Sequence, residues 1–161
     1  MNINSVSAKK VRQLVRGRDL VWLPLTATAR EASTLKQEKN IGAIAVLDEG
    51  RLVGLLSERD IVQRCVGQEG CDPAKCPISK IMSQPVITID RNMSMGVAVV
   101  MMLESNIRHL PVVKGQQVLG MISIRQLVDE FKRGLERSLR QYLQDLARVC
   151  PNAMLAGAGR D

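Results

Sequence analysis

Two stretches of this chain repeat one another. Ile41-Gly-Ala-Ile-Ala-Val-Leu-Asp-Glu-Gly-Arg-Leu-Val-Gly-Leu-Leu-Ser-Glu-Arg-Asp60 lies without a gap on Ile107-Arg-His-Leu-Pro-Val-Val-Lys-Gly-Gln-Gln-Val-Leu-Gly-Met-Ile-Ser-Ile-Arg-Gln126, at a constant offset of 66 residues. An internal repeat limits the architecture before any single residue does. One such unit alone buries too little surface to be comfortable. Two units packed face to face within 161 residues do better.

Each copy reads as strand, helix, strand, strand, helix. The branched runs Leu20–Leu23 and Val86–Ile89 are the expected first strands. Thr28, with Glu31 three residues on, predicts a capping box opening the helix Ala29–Lys39, which buries Ala32 and Leu35. Ser94 caps the matching helix, which runs to about Ser105 with Val97, Val100, Met101 and Glu104 at helical spacing. The strands Ala43–Leu47 and Leu110–Val113 each lead through a short turn into a third strand ending at Ser57 or Ser123. A right-handed crossover puts the helices on one sheet face. The other face is apolar in both copies, and each copy is expected to cover the other.

Gly67–Pro77 is rich in Gly, Pro and charge and reads as a connection. Ile78–Met82 resembles Val11–Val15, which gives each copy a short helical lead-in. The repeats are placed at residues 6–70 and 78–130, with 71–77 as linker. A helix over 131–150 continues the last helix of the second repeat, its apolar stripe running from Leu127 to Val149. Residues 151–161, after Pro151, are polar and small enough for a disordered tail.

The pattern resembles a tandem CBS-domain pair, or Bateman module. Asn40-Ile41, Val46–Asp60, Ile81-Met82-Ser83, Ile107–Val113 and Leu119–Ser123 carry the resemblance, which spans about residues 6–130. It implies an α/β fold of two βαββα repeats packed sheet to sheet with pseudo-two-fold symmetry. It also implies a small stand-alone regulatory protein, not an enzyme. Such modules bind adenosine-containing ligands in clefts between the paired sheets and report the binding to a partner. The expected ligand is AMP, ADP or ATP, with S-adenosylmethionine or NAD as alternatives and no covalent cofactor.

A strand entering a helix presents free N–H groups suited to phosphate. In the family, Ser or Thr followed three residues later by Asp holds a ribose. Ser57 and Asp60 match in full; Ser123 is retained but Gln126 replaces the acid. Asp60→Ala is therefore expected to weaken nucleotide binding and leave the fold intact. The second copy instead offers Arg108-His109 where the first has Gly42-Ala43. Arg108 suits bidentate phosphate binding, and His109 reads equally as a group that changes charge near neutral pH or as a partly buried packing residue. Arg59, Arg125 and Thr88 are further candidates, and Ile41 and Ile107, with Val86 and Met121, are the expected aliphatic walls for adenine.

Net charge is +7, concentrated in Lys9, Lys10, Arg12, Arg16 and Arg18 near the start. That balance permits an anion or nucleic-acid binder. One Trp, one Tyr and one Phe give no aromatic ladder for bases, so nucleic acid is the weaker reading, as is a pure scaffold. There is no paired nucleophile and base and no Gly-rich phosphate loop. No apolar run reaches a membrane span and the start lacks a signal peptide's apolar core, which points to the cytoplasm. Cys71 and Cys76 have zinc-like spacing, but no second Cys or His pair completes a ligand set, so no metal is expected and the thiols read as reduced. The long apolar stripe predicts a homodimer.

Overall fold

The computed structural model describes residues 3–149. The elements of the first half are α1 (Ile3–Ser7), α2 (Arg12–Val15), β1 (Trp22–Pro24), α3 (Ala29–Lys39), β2 (Ala43–Asp48), β3 (Arg51–Ser57) and α4 (Glu58–Ile61). A π-helical turn, Val62–Val66, extends α4, and a 3-10 turn, Ile78–Lys80, precedes the second half. There follow β4 (Ile89–Asp90), α5 (Met95–Glu104), β5 (His109–Lys114), β6 (Gln117–Ser123) and α6 (Ile124–Val149).

The repeat is visible in the register. Each half holds a three-stranded sheet, β1-β2-β3 or β4-β5-β6, with the first pair parallel and the second antiparallel. Both hairpins carry a register shift at the same point, after Val46 and after Val112. The Thr28–Glu31 capping box forms, and Ser94 accepts from the Val97 N–H. The chain leaves both helices through a left-handed asparagine, Asn40 and Asn106, each with φ 51°. These are local devices, so they recur wherever the local sequence recurs.

One expectation needs correction. The first strands lie later than the branched runs: parallel pairing starts at Trp22↔Ala45 and at Ile89↔Val112. Val86 and Ile87 instead line the space between the halves. In α5 the buried face is Met95, Ala98 and Met102, while Val97 and Val100 face outward with Leu103. A helix apolar all round gives periodicity no single face to select.

The lead-ins are exchanged between the halves. Ile78, Ile81 and Met82 belong to the core built on Ile44, Val46 and Leu56. Val11 and Val15 belong to the core built on Leu110, Val112 and Ile122. A glycine admits each crossing segment. A Cβ on Gly54 would lie 2.1 Å from Met82 Sδ, and one on Gly120 would lie 2.9 Å from Val15 Cβ. Each core thus takes residues from the other half's lead-in, which ties the two small units into one structure.

Among the described residues, the last helix is anchored at its start. Leu127 is fully buried, and Gly134 lets Val6 of α1 approach so closely that a Cβ there would lie 2.2 Å from Val6 Cγ2. Glu130 holds Lys9 at 3.3 Å and Arg133 at 2.9 Å. Farther on, Leu135, Leu139, Tyr142 and Leu143 are exposed. Cys150, Pro151 and the expected tail lie outside the described residues. Among the described residues, no helix is long and apolar enough to cross a membrane.

Candidate ligand-binding cleft

A cleft of 1350 Å³ opens between the halves. It gathers the strand-to-helix turns at Ser57 and Ser123, the β2 and β5 entries at Ile41–Ala43 and Ile107–His109, and the segment Pro85–Ile87. Ser57, Arg59, Asp60, Ser123, Arg125 and Gln126 line it together with Ile41, Gly42, Ala43, Ile107, Arg108 and His109. The aliphatic residues Val86 and Met121 also reach it. Thr88 is not on its wall: it sits half-buried one residue before β4.

At the first turn, Asp60 is the centre of a network. Its Oδ2 accepts from the Ser57 N–H at 2.7 Å and from the Ser57 hydroxyl at 2.6 Å. Its Oδ1 accepts from the Ser83 hydroxyl at 2.8 Å and pairs with Arg64 at 3.4 Å. The carboxylate is buried, 7 % of its side chain being exposed. The Arg64 guanidinium also donates to the carbonyls of Ile81 and Met82 at 3.1 and 2.9 Å. Asp60 therefore caps α4 and, through Ser83 and Arg64, fastens it to the exchanged lead-in. Asp60→Ala removes the acceptor of part-buried donors on Ser57 and Ser83, so the substitution bears on stability as well as on ligand binding.

Gln126 repeats only the cap. Its Oε1 accepts from the Ser123 N–H at 2.8 Å and from the Ser123 hydroxyl at 3.3 Å. A neutral amide has one acceptor oxygen, so nothing corresponds to the Oδ1 side of Asp60.

Across the cleft, His109 of the second half packs on Gly42 of the first; a Cβ on Gly42 would fall 2.8 Å from His109 Nε2. The glycine is thus the space the histidine needs. Burial first, then the cations Lys36 and Arg108, push the imidazole down to about 4, against a smaller opposing pull from Glu58. Of the two readings of His109, the partly buried packing residue is the one that fits: it is neutral near pH 7 and offers one donor and one acceptor nitrogen.

Three participants escaped the sequence reading: Lys36, Arg64 and Ser83. Lys36 is buried on α3, donates to the Gly42 carbonyl, and faces the cleft. Burial lowers its pKa, opposed by Glu58 and Asp60. Its position four residues after buried Ala32 was the available signal. Arg64 stands four residues after Asp60, the spacing of a helical ion pair. Ser83 had no local signal, because a contact 23 residues away in sequence makes it a partner of Asp60.

The cleft is electropositive. Arg18, Lys36, Lys39, Arg59, Arg64, Arg108 and Arg125 line it against two acids, Glu58 and Asp60. Part of the basic N-terminus is committed elsewhere, since Lys9 pairs with Glu130 and Arg12 donates to Asn92 Oδ1 at 2.8 Å.

Comparison with known proteins meets the same two units. The CBS-domain profile matches residues 11–67 and 78–133. The chain belongs to the CBS-domain family. CBS-domain proteins are generally regulatory, non-catalytic modules. A CBS domain-containing protein of Bacillus subtilis is 36 % identical over 100 residues, 62 % of this chain and 70 % of that one. A protein with CBS domains from Burkholderia ambifaria superposes with a TM-score of 0.71 at 30 % identity, covering 74 % of this chain and 91 % of that one. A CBS-domain protein of Pyrobaculum aerophilum, solved in complex with AMP, gives a TM-score of 0.66 at 33 % identity, covering 73 % and 89 %. The CBS pair is thus the fold as well as the family.

Proposed function

We propose that the cleft binds an adenine nucleotide, AMP, ADP or ATP, and that the protein is a cytoplasmic, non-catalytic regulator of a partner protein. The observation that carries this reading is the electropositive cleft with a buried ribose-type acceptor, Asp60, at its wall. The AMP complex of the Pyrobaculum relative supports the ligand class. The excess of cations favours a phosphate over the sulfonium of S-adenosylmethionine, and NAD, which carries phosphate, remains the second ligand choice.

Asp60 Oδ1 already holds Ser83 and Arg64. A ribose hydroxyl reaching that oxygen displaces one of them. Displacing Arg64 loosens its hold on the Ile81 and Met82 carbonyls. Binding then favours a state in which the lead-in is freer, which supplies the differential affinity that signalling needs. Lys36 from the first half, and Arg108 and neutral His109 from the second, are the groups that meet the phosphate.

Calorimetry with AMP tests the reading. Asp60→Asn keeps the side chain's shape, and Lys36→Met copies the residue at the matching position of the second repeat, Met102. Each is expected to weaken AMP binding at least tenfold. Unchanged affinity in both variants, or no binding by the wild type, overturns the proposal.

A homodimer is part of the same proposal. Val97, Val100 and Leu103 on α5 and Val128, Leu135, Leu139, Tyr142 and Leu143 on α6 are exposed apolar side chains. Light scattering of a chain lacking residues 132–161 tests the contribution of α6, and an unchanged dimer removes the helix from the argument.

A further inference from the structure

Three of the four cysteines converge away from the cleft. The sulfurs of Cys65, Cys71 and Cys76 all lie within 4.8 Å of one another, with Cys65 and Cys71 at 3.1 Å. Cys65 is fully buried in the π-helical turn, whose i→i+5 bond runs from the Gly67 N–H to the Val62 carbonyl at 2.7 Å. Such turns gather at functional sites. Cys71 and Cys76 come from the connection between the repeats and are half-buried. Asp72 holds that connection in a tight fold: its carbonyl accepts from Lys75 and Cys76, each at 2.9 Å, and its Oδ1 from Ala74 at 2.9 Å. The second repeat has Phe131 where the first has Cys65, so the cluster has no counterpart.

We propose that Cys65, Cys71 and Cys76 form a thiolate site for one soft metal ion, with Zn²⁺ as its ligand and the fourth coordination position open to water. Zinc–sulfur bonds of about 2.3 Å in a tetrahedron place sulfurs about 3.8 Å apart. The observed spacing of 3.1 to 4.8 Å brackets that value, so small side-chain rotations suffice. A disulfide uses two of the three sulfurs and leaves the third unpartnered, whereas a metal engages all three. Binding forms three Zn–S bonds and releases three thiol protons to water, leaving a complex of net charge −1. The Lys80 ammonium acts electrostatically on Cys76 and offsets part of that charge. Sequence spacing showed only the Cys71–Cys76 pair; the fold adds Cys65.

The site would act as a staple. The carbonyls of Pro73 and Cys76 already accept from the Arg30 and Ala29 N–H groups at the start of α3, at 3.0 and 2.8 Å. A metal at the three sulfurs ties this connection to the π-helical turn that follows Asp60 and contains Arg64. The proposal stands apart from the nucleotide reading, since none of the three cysteines lines the cleft.

The test uses the full chain, reduced and metal-free, titrated with Co²⁺ and then Zn²⁺. The expected result is one equivalent of Co²⁺ with a thiolate charge-transfer band, displaced by one equivalent of Zn²⁺, and a melting temperature that rises with Zn²⁺ concentration. Cys71→Ser and Cys76→Ser each are expected to lose the band and at least tenfold in Zn²⁺ affinity, with metal-free melting unchanged. Cys150→Ser is expected to retain both. Absence of the band in the wild type, its retention in both linker variants, or its loss in Cys150→Ser overturns the proposal. Equal metal-free melting of the variants and the wild type separates ligand loss from misfolding.

Discussion

The two repeats share a backbone and differ in what they place at the same points. The first has Lys36, Gly42 and Asp60 where the second has Met102, Arg108 and Gln126. In the first, the turn carboxylate is buried and joins Ser57, Ser83 and Arg64; in the second, the amide caps Ser123 and stops. Arg108 is exposed, whereas Lys36 is buried. The halves have thus divided their labour. The first supplies a buried acid and a buried cation. The second supplies an exposed cation and, in His109, a neutral ring for which Gly42 makes room.

The widest separation between the halves is expected at the turn residue. Asp60→Ala should cost about 3 kcal/mol, because the Ser57 N–H, the Ser57 hydroxyl and the Ser83 hydroxyl, all part-buried, lose their charged acceptor and half-exposed Arg64 loses its partner. Gln126→Ala should cost about 1 kcal/mol, the loss of a cap. Urea denaturation of the two variants measures the difference, and equal losses would erase the asymmetry.

The glycines that admit the exchanged lead-ins come next. Gly120→Ala should cost about 2–3 kcal/mol and Gly54→Ala about 1 kcal/mol, although the Cβ overlap is deeper at Gly54. Val15 is β-branched and stiff beside Gly120, whereas Met82 beside Gly54 can swing aside. Thermal melts that rank the pair in the opposite order would show that overlap, not side-chain stiffness, decides.

His109 gives a pH-dependent contrast. Its folded value is about 4 against 6.5 for the free imidazole. Between these the unfolded chain binds the extra proton, so stability is full above about 6.5 and declines as pH falls toward 4. Discounted for partial exposure, the effect is about 1–2 kcal/mol. His109→Gln should flatten that slope in denaturant titrations across the window. A variant with the wild-type slope would assign the decline to other groups.

The smallest effect expected on stability is that of Lys36→Met. Removing a buried ammonium offsets the loss of its bond to the Gly42 carbonyl, so stability should change by less than about 1 kcal/mol. A large loss would make Lys36 structural and weaken its assignment to the ligand.

What was legible in the sequence was whatever repeats locally. The cap at Thr28, the hairpins and the Ser57 and Ser123 turns depend on neighbours within a few residues, so a 66-residue offset carries them from one half to the other. Twelve of the thirteen expected site residues line one cleft for the same reason: they sit at strand and helix ends that the fold brings together. The outward face of α5 was not legible, since an apolar helix has no preferred side until partners choose it.

By itself, the sequence determined the family, the two sheets and the loss of the acid at Gln126. Only the tertiary structure decided that the lead-ins cross between cores, that Asp60 is already engaged, and that Cys65 joins Cys71 and Cys76. The neutrality of His109 belongs with these. Each depends on desolvation or on contact between segments distant in the chain. Such terms arise only once the chain has packed, and no local pattern of residues encodes them.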